Sequence, residues 1–149
     1  MREARERTAS GALIFDADVL RKVTPEAFAA ENWQASEPVT GTLRTAGRGK
    51  TMIVRDGDSE FVLRHYLRGG LAGRIVRDRY LWLGEVATRC FAEFRLLAKL
   101  GDLGLPVPQP AAAHYRRHGL FYSADLLTVR LPGVCSLADR LAAREASEG

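Results

Sequence analysis

Cysteine is scarce in this chain: Cys90 and Cys135 are the only two, and they lack C-x-x-C spacing. That argues against a disulfide framework and against a cysteine-ligated zinc site, and it fits a reducing cytoplasm. Histidine is also sparse. His114 and His118 stand four apart, but on a predicted strand and turn with no third ligand nearby, so zinc is not expected. No apolar run approaches the roughly 20 residues a membrane-spanning helix needs. The opening Met1-Arg2-Glu3-Ala4-Arg5-Glu6-Arg7 is too mixed in charge for a secretory signal, so export is not expected. There is no internal repeat and no low-complexity tract.

What is present suits one ordinary domain. The 149 residues are 46% hydrophobic and 27% charged, enough to bury a real core. The formal charge of +4 is compatible with a nucleotide, an anionic membrane face or nucleic acid. The position of the charges therefore carries more information than their sum.

Leu13-Ile14-Phe15 reads as a short strand. Thr24 reads as the N-cap of a short helix with Pro25 as its first residue and Phe28 on its apolar side. The segment from Gly11 to Thr40 is expected to pack across the sheet that follows, and residues 1–38 to form an N-terminal extension. From Val39 to Tyr66 the alternation is that of strands: one through Leu43, a turn at Gly47-Arg48-Gly49, a second through Thr51-Met52-Ile53-Val54, a turn at Asp56-Gly57, and a third through Phe61 to Tyr66. The spacing predicts a three-stranded antiparallel meander, broken by Gly69-Gly70.

From Tyr80 the period becomes helical, with Leu83, Val86, Cys90, Phe94, Leu97 and Leu100 on one arc. Glu93 falls inside that arc. A carboxylate on an apolar face needs a cation or donors to offset its desolvation, and Arg64 is available. The prolines at 106, 108 and 110 force an extended segment that ends the helical region. Two strands follow around a turn at Arg117-His118-Gly119, the second running from Leu120 to Val129. Ser136-Leu137-Ala138-Asp139 reads as a capping box opening a last helix.

Gly49-Lys50-Thr51 suggests a phosphate-binding P-loop, but position 44 is arginine where that motif has glycine, and a strand rather than a helix follows. A glycine turn between two antiparallel strands is instead how kinase-type folds lay backbone N–H groups over phosphates. An ordinary hairpin turn is the alternative. In the kinase-type order, a cation on the third strand meets the phosphates and pairs with a helix glutamate, and two further strands lead to a hinge that contacts adenine. Here the same order places Arg64, then Glu93, then a hinge near Thr128 and Val129. A partly buried ion pair that only orients the helix is the competing reading of Arg64 and Glu93.

The chain resembles the 3-deoxy-D-manno-octulosonic acid (Kdo) kinases of lipopolysaccharide synthesis. The resemblance rests on Ala46-Gly47-Arg48-Gly49, on the run from Phe61 to Leu71, on the run from Arg77 to Trp82, on Gly104-Leu105-Pro106-Val107-Pro108 and on His118-Gly119-Leu120-Phe121-Tyr122. It covers most of residues 11–141. It implies an α+β fold: a protein-kinase-like N-lobe with a twisted antiparallel sheet of about five strands and one packed helix. Residues 39–127 would form that lobe, and residues 128–149 the hinge and the start of a C-lobe. The implied reaction is ATP-dependent phosphorylation of a Kdo hydroxyl on lipid A, with a divalent metal such as magnesium, at the cytoplasmic face of the inner membrane as a peripheral protein. Gly47, Arg48 and Gly49 would cover the phosphates. Arg64 would stand where most kinase-like folds have lysine, with Glu93 as its partner and Thr128 and Val129 beside the base.

No H-x-D-x-x-x-x-N segment followed by a D-F-G-like segment occurs in the sequence, which ends at Gly149. The family's catalytic base, its metal-binding residues and the rest of its C-lobe are accordingly expected beyond Gly149, and no residue of this chain is assigned as catalytic. Without a base and metal ligands the chain alone is expected to turn over no substrate. Two further readings stay open: a non-catalytic nucleotide- or membrane-binding module, and a different small-molecule phosphotransferase of the same fold. Arg68, Arg74, Arg77 and Arg79, interleaved with Leu71, Ile75, Tyr80 and Trp82, suit an anionic lipid surface or a phosphate-rich acceptor. A solvated basic face is the alternative, and no nucleic-acid motif accompanies the arginines. The polar tail, from Ala143 to Gly149, fits a natural end or a partial gene. On the second of these, Leu126 and Leu131 should be partly uncovered and promote self-association.

Overall fold

The computed structural model describes residues 1–38, 50–66 and 80–131. The expected strand through Leu43, the turn at Gly47-Arg48-Gly49, the break at Gly69-Gly70, Arg68, Arg74, Arg77, Arg79, the helix after Ser136 and the polar tail to Gly149 lie outside the described residues. Within them, eight strands form one antiparallel sheet: β1 (Glu3–Thr8), β2 (Gly11–Asp16), β3 (Ala35–Pro38), β4 (Lys50–Asp56), β5 (Ser59–His65), β6 (Tyr80–Leu81), β7 (Pro110–His118) and β8 (Phe121–Val129). Their order is β1-β2-β7-β8-β5-β4-β3, with β6 also paired to β8. The one α-helix among the described residues, α1, spans Arg89–Asp102.

Both faces of the sheet are covered. Side chains alternate along a strand, so Ala12 and Ile14 of β2 face one way and Leu13 and Phe15 the other. The first pair joins Phe91, Phe94 and Cys90 of α1, together with Tyr115, Tyr122 and Leu126. The second pair joins Val23 and Phe28, with Leu63 and Leu127. Phe28 belongs to a 3-10 turn at Pro25–Phe28, which Thr24 precedes as N-cap without a side-chain capping bond. Ala111, Ala112 and Ala113 of β7 are all fully buried, and their small side chains let both layers close on the middle of the sheet.

The second and third strands of the expected meander are present as the antiparallel pair β4–β5, and β3, from Ala35 to Pro38, pairs with β4 on its other side. The hairpin turn also lies where expected, with Gly57 at φ 57°, a value that favours glycine. The N-terminal segment differs from expectation. Gly11–Asp16 does not pack across the sheet but extends it as β2, with Gly11 opposite Arg116 and Phe15 opposite Ala112, whereas Val23 and Phe28 further along do pack on its face. The alternating charges of β1 conceal a strand that pairs on one side only.

The helix also begins later than its period suggests. Tyr80 and Leu81 pair with Tyr122 and Phe121 as β6, and Gly84 at φ 98° then turns the chain. A 3-10 turn spans Glu85–Ala87 before α1 starts. Leu83 and Val86 are therefore exposed, at 74% and 82%, rather than on the helical arc. Thr88 precedes the helix in an extended conformation without capping it through its side chain. Instead, the Arg89 amide donates to the Tyr122 hydroxyl at 3.1 Å, satisfying one of the first-turn N–H groups. Leu126 is buried beneath α1 rather than uncovered, while Leu131 is 39% exposed.

Candidate functional site

Arg64 lies near the end of β5, on the face that α1 covers. Glu93 projects from the second turn of α1 toward it. The two form an ion pair through Nη2 of Arg64 and Oε1 of Glu93, with side chains 39% and 33% exposed respectively. Half-burial places the pair at a boundary, with its apolar side in the core and its outer side open. Burial opposes the Arg64 charge, but Tyr66 and Glu93 outweigh it and raise the guanidinium pKa.

Sequence reading paired Arg64 with Glu93 but missed a third member. Tyr66 follows Arg64 by two residues, so strand periodicity sets both on one face. Its hydroxyl donates to Oε2 of Glu93 at 2.5 Å and accepts from Nη2 of Arg64 at 3.2 Å. Burial, and then the adjacent Glu93, push the phenol pKa well above its ordinary value, so the proton stays on oxygen. The signal was an Arg-x-Tyr spacing at the end of a strand.

Register relates the pair to the start of β4. Thr51 lies opposite Arg64 and Lys50 opposite His65, so the chain enters β4 from residue 49 beside the Arg64 end of β5. In the other direction, Arg64 faces Leu126 on β8, and Phe61 faces Val129. Thr128 and Val129 are paired strand residues, and the amides of Val129 and Arg130 donate to Gln109 O at 2.8 Å and Glu60 O at 2.9 Å. Both of these amides are spent on backbone carbonyls of the sheet and its flanking loop.

Asp102-Leu103-Gly104 has D-F-G spacing but forms the end of α1. Gly104 is at φ 77°, and its amide donates to Gly101 O at 2.9 Å. It is a helix stop rather than a metal ligand set. Among the described residues no group of three or more His, Cys, Asp or Glu side chains could hold a metal ion. None of their helices is long and apolar enough to cross a membrane. Cys90 is a buried free thiol whose pKa burial pushes up to about 12, consistent with a core residue.

The opposite face carries a second polar group. Asp125, buried to 1%, accepts from Arg116 at 3.1 Å and pairs with His65 Nδ1 at 2.5 Å. His114 lies beside it in register, against Phe28 with ring centroids 5.0 Å apart. Neither ring nitrogen of His114 has a hydrogen-bond partner among the described residues. Burial, followed by the Arg116 charge, pushes its pKa down to about 4.

These elements define an α+β domain organised around a strand cation and a helix carboxylate. Residues 30–148 match the lipopolysaccharide kinase (Kdo/WaaP) family, and the chain belongs to that family. Among curated relatives, a 3-deoxy-D-manno-octulosonic acid kinase of Stenotrophomonas maltophilia is 46% identical over 91% of this chain and 53% of its own length. One from Xanthomonas oryzae pv. oryzae is 47% identical over the same shares. One from Vibrio parahaemolyticus is 40% identical over 96% of this chain and 59% of its own. The chain thus spans between half and three-fifths of the length of these relatives. No solved structure matches it.

Proposed function

We propose that this chain supplies the nucleotide-holding part of an ATP-dependent kinase that phosphorylates a Kdo hydroxyl in the lipopolysaccharide inner core on lipid A. The observation that carries this reading is the Arg64–Glu93 pair beside the start of β4, the strand that follows Gly47-Arg48-Gly49 in the sequence. A guanidinium has five N–H donors. Nη2 of Arg64 spends its two on Glu93 and Tyr66, leaving three on Nη1 and Nε without partners among the described residues. These suit a phosphate oxygen, and Gly47, Arg48 and Gly49 would cover the same phosphates with backbone N–H groups.

ATP would supply the transferred phosphoryl group and a magnesium ion would neutralise charge developing on it. Arg64 binds and orients phosphate while Glu93 holds its guanidinium in place. Thr128 and Val129 would border the base through carbonyls and side chains. The described residues offer no holder for the metal, and the sequence to Gly149 has no H-x-D base segment. The 149-residue chain alone is therefore proposed to bind nucleotide without turning it over, with the base and the metal ligands supplied by sequence beyond Gly149 in the intact enzyme. Arg68, Arg74, Arg77 and Arg79 are assigned to the phosphates of lipid A and to the anionic inner-membrane face, where the protein would sit peripherally. A phosphate-suited cation with neither a base nor metal ligands beside it among the described residues also fits, as a second reading, a non-catalytic nucleotide-binding module.

The test is an ATP titration of the 149-residue chain and of Arg64→Ala, with phosphate transfer to Kdo-lipid A assayed alongside. Binding weakened about tenfold or more in Arg64→Ala is expected, as for loss of a charge-assisted hydrogen bond. Equal binding would refute the site, and transfer above the Arg64→Ala background would refute the proposed inactivity.

A further inference from the structure

Arginine and lysine present phosphate with different donors: a planar fork in one, a point charge in the other. At Arg64 the fork is partly consumed before any ligand arrives. One Nη2 proton goes to Oε1 of Glu93 and the other to the Tyr66 hydroxyl at 3.2 Å. An end-on bidentate contact needs Nη1 and Nη2 together. With Nη2 fully engaged, that contact is closed, and Nη1 and Nε remain as separate donors.

We propose that Tyr66 is a positioning residue of this site: its hydroxyl locks Glu93 and the Nη2 edge of Arg64, so that Arg64 meets phosphate as a single-nitrogen donor. The proposal rests on the nucleotide-binding reading given above. Tyr66 does not touch the ligand, and it acts through the two charges it bridges.

The hydroxyl is itself well fixed. The Tyr66 side chain belongs to the core, with the residue 8% exposed, and its amide donates to Ala124 O at 3.0 Å. The Cζ atoms of Arg64 and Arg89 lie 5.0 and 6.0 Å from its ring centroid. A phenol bridging two opposite charges satisfies its one donor and one acceptor role, which a buried hydroxyl needs. Phenylalanine would keep the ring and remove only the bridge. Oε2 of Glu93 would then lose its donor and be free to take a second N–H from Arg64. A carboxylate that captures both Nη atoms turns Nη1 toward the helix and away from phosphate.

The test is ATP affinity of the 149-residue chain carrying Tyr66→Phe, in the native background and together with Arg64→Lys. In the native background, Tyr66→Phe should weaken ATP binding by about tenfold, the loss of one hydrogen bond to a charged group. With Arg64→Lys, whose ammonium has no fork to capture, the same change should cost less than about twofold. A general loss of packing would lower both equally, and the thermal midpoint of Tyr66→Phe checks for it. NMR of the Arg64 guanidinium in the nucleotide-free chain gives a second readout: hindered rotation confined to Nη2 in the native protein and extended to both Nη groups in Tyr66→Phe.

An averaged Nη2 signal in the native protein would overturn the lock. So would an ATP affinity unchanged by Tyr66→Phe but lowered by Arg64→Ala, an outcome that leaves the nucleotide site standing. Failure of the native chain to bind ATP, or binding indifferent to both substitutions, would overturn the nucleotide reading and this inference together.

Discussion

Replacing His114 with leucine should flatten the acid limb of the stability curve. His114 is 1% exposed, and its pKa is pushed down to about 4 by burial and by the Arg116 charge, with Asp125 and Glu26 pulling the other way. An unfolded histidine titrates near 6.5. Below that value the unfolded chain takes up a proton that the folded chain refuses, so stability falls as pH drops from 6.5 toward 4. With these two pKa values, linkage gives a loss of about 2 kcal/mol between pH 7 and pH 5. For a chain of this size that corresponds to roughly 4–8 °C in thermal midpoint. His114→Leu removes the titration and also two buried nitrogens without partners among the described residues, so it should be more stable at pH 7 by about 1–2 kcal/mol. Urea denaturation of both proteins at pH 7 and pH 5 measures the difference, which cancels contributions from all other groups. An equal fall in both proteins would refute the assignment of the acid sensitivity to this ring.

Three further outcomes follow from the packing. A Cβ added at Gly11 would fall 2.1 Å from the Tyr115 carbonyl oxygen; Gly11→Ala should therefore break the β2–β7 register, seen as loss of amide protection in β1 and β2. Phe91 of α1 is completely buried against the sheet, and Phe91→Ala should cost about 3–5 kcal/mol by urea unfolding. Leu83→Ser and Val86→Ser, at positions 74% and 82% exposed, should stay within about 0.5 kcal/mol of the native protein; a loss of several kcal/mol would restore them to the helical arc.

Much of the sheet was legible because local chemistry specifies it. Glycine at 57 and at 119 marked the β4–β5 and β7–β8 turns, and alternation marked the strands between them. Arg64 and Glu93 were legible as a pair because a carboxylate on an apolar face requires a cation. Tyr66 was not, because a tyrosine beside a core reads as packing until its hydroxyl partners are known. The helix start was misplaced because Leu83 and Val86 continue the helical period by coincidence, whereas Gly84 and the β6 pairing, a long-range contact, decide the backbone. β1 was missed for a related reason. Its Arg and Glu residues find partners far along the chain: Arg5 bonds Glu85 at 2.9 Å, and Glu3 bonds Arg95 at 2.7 Å.

The pairing of β2 with β7 also sets a timetable for synthesis. Gly11 meets Arg116, about a hundred residues later in the chain. At ordinary translation rates that interval is roughly 5–20 s. Throughout it, Leu13, Ile14 and Phe15, which are buried in the finished sheet, have no β7 edge to join. An apolar, β-prone segment waiting beside the ribosome is a natural target for chaperone capture and for mispairing with a neighbouring nascent chain. The yield of folded protein should then respond to translation speed and chaperone supply more than to the stability of the finished fold.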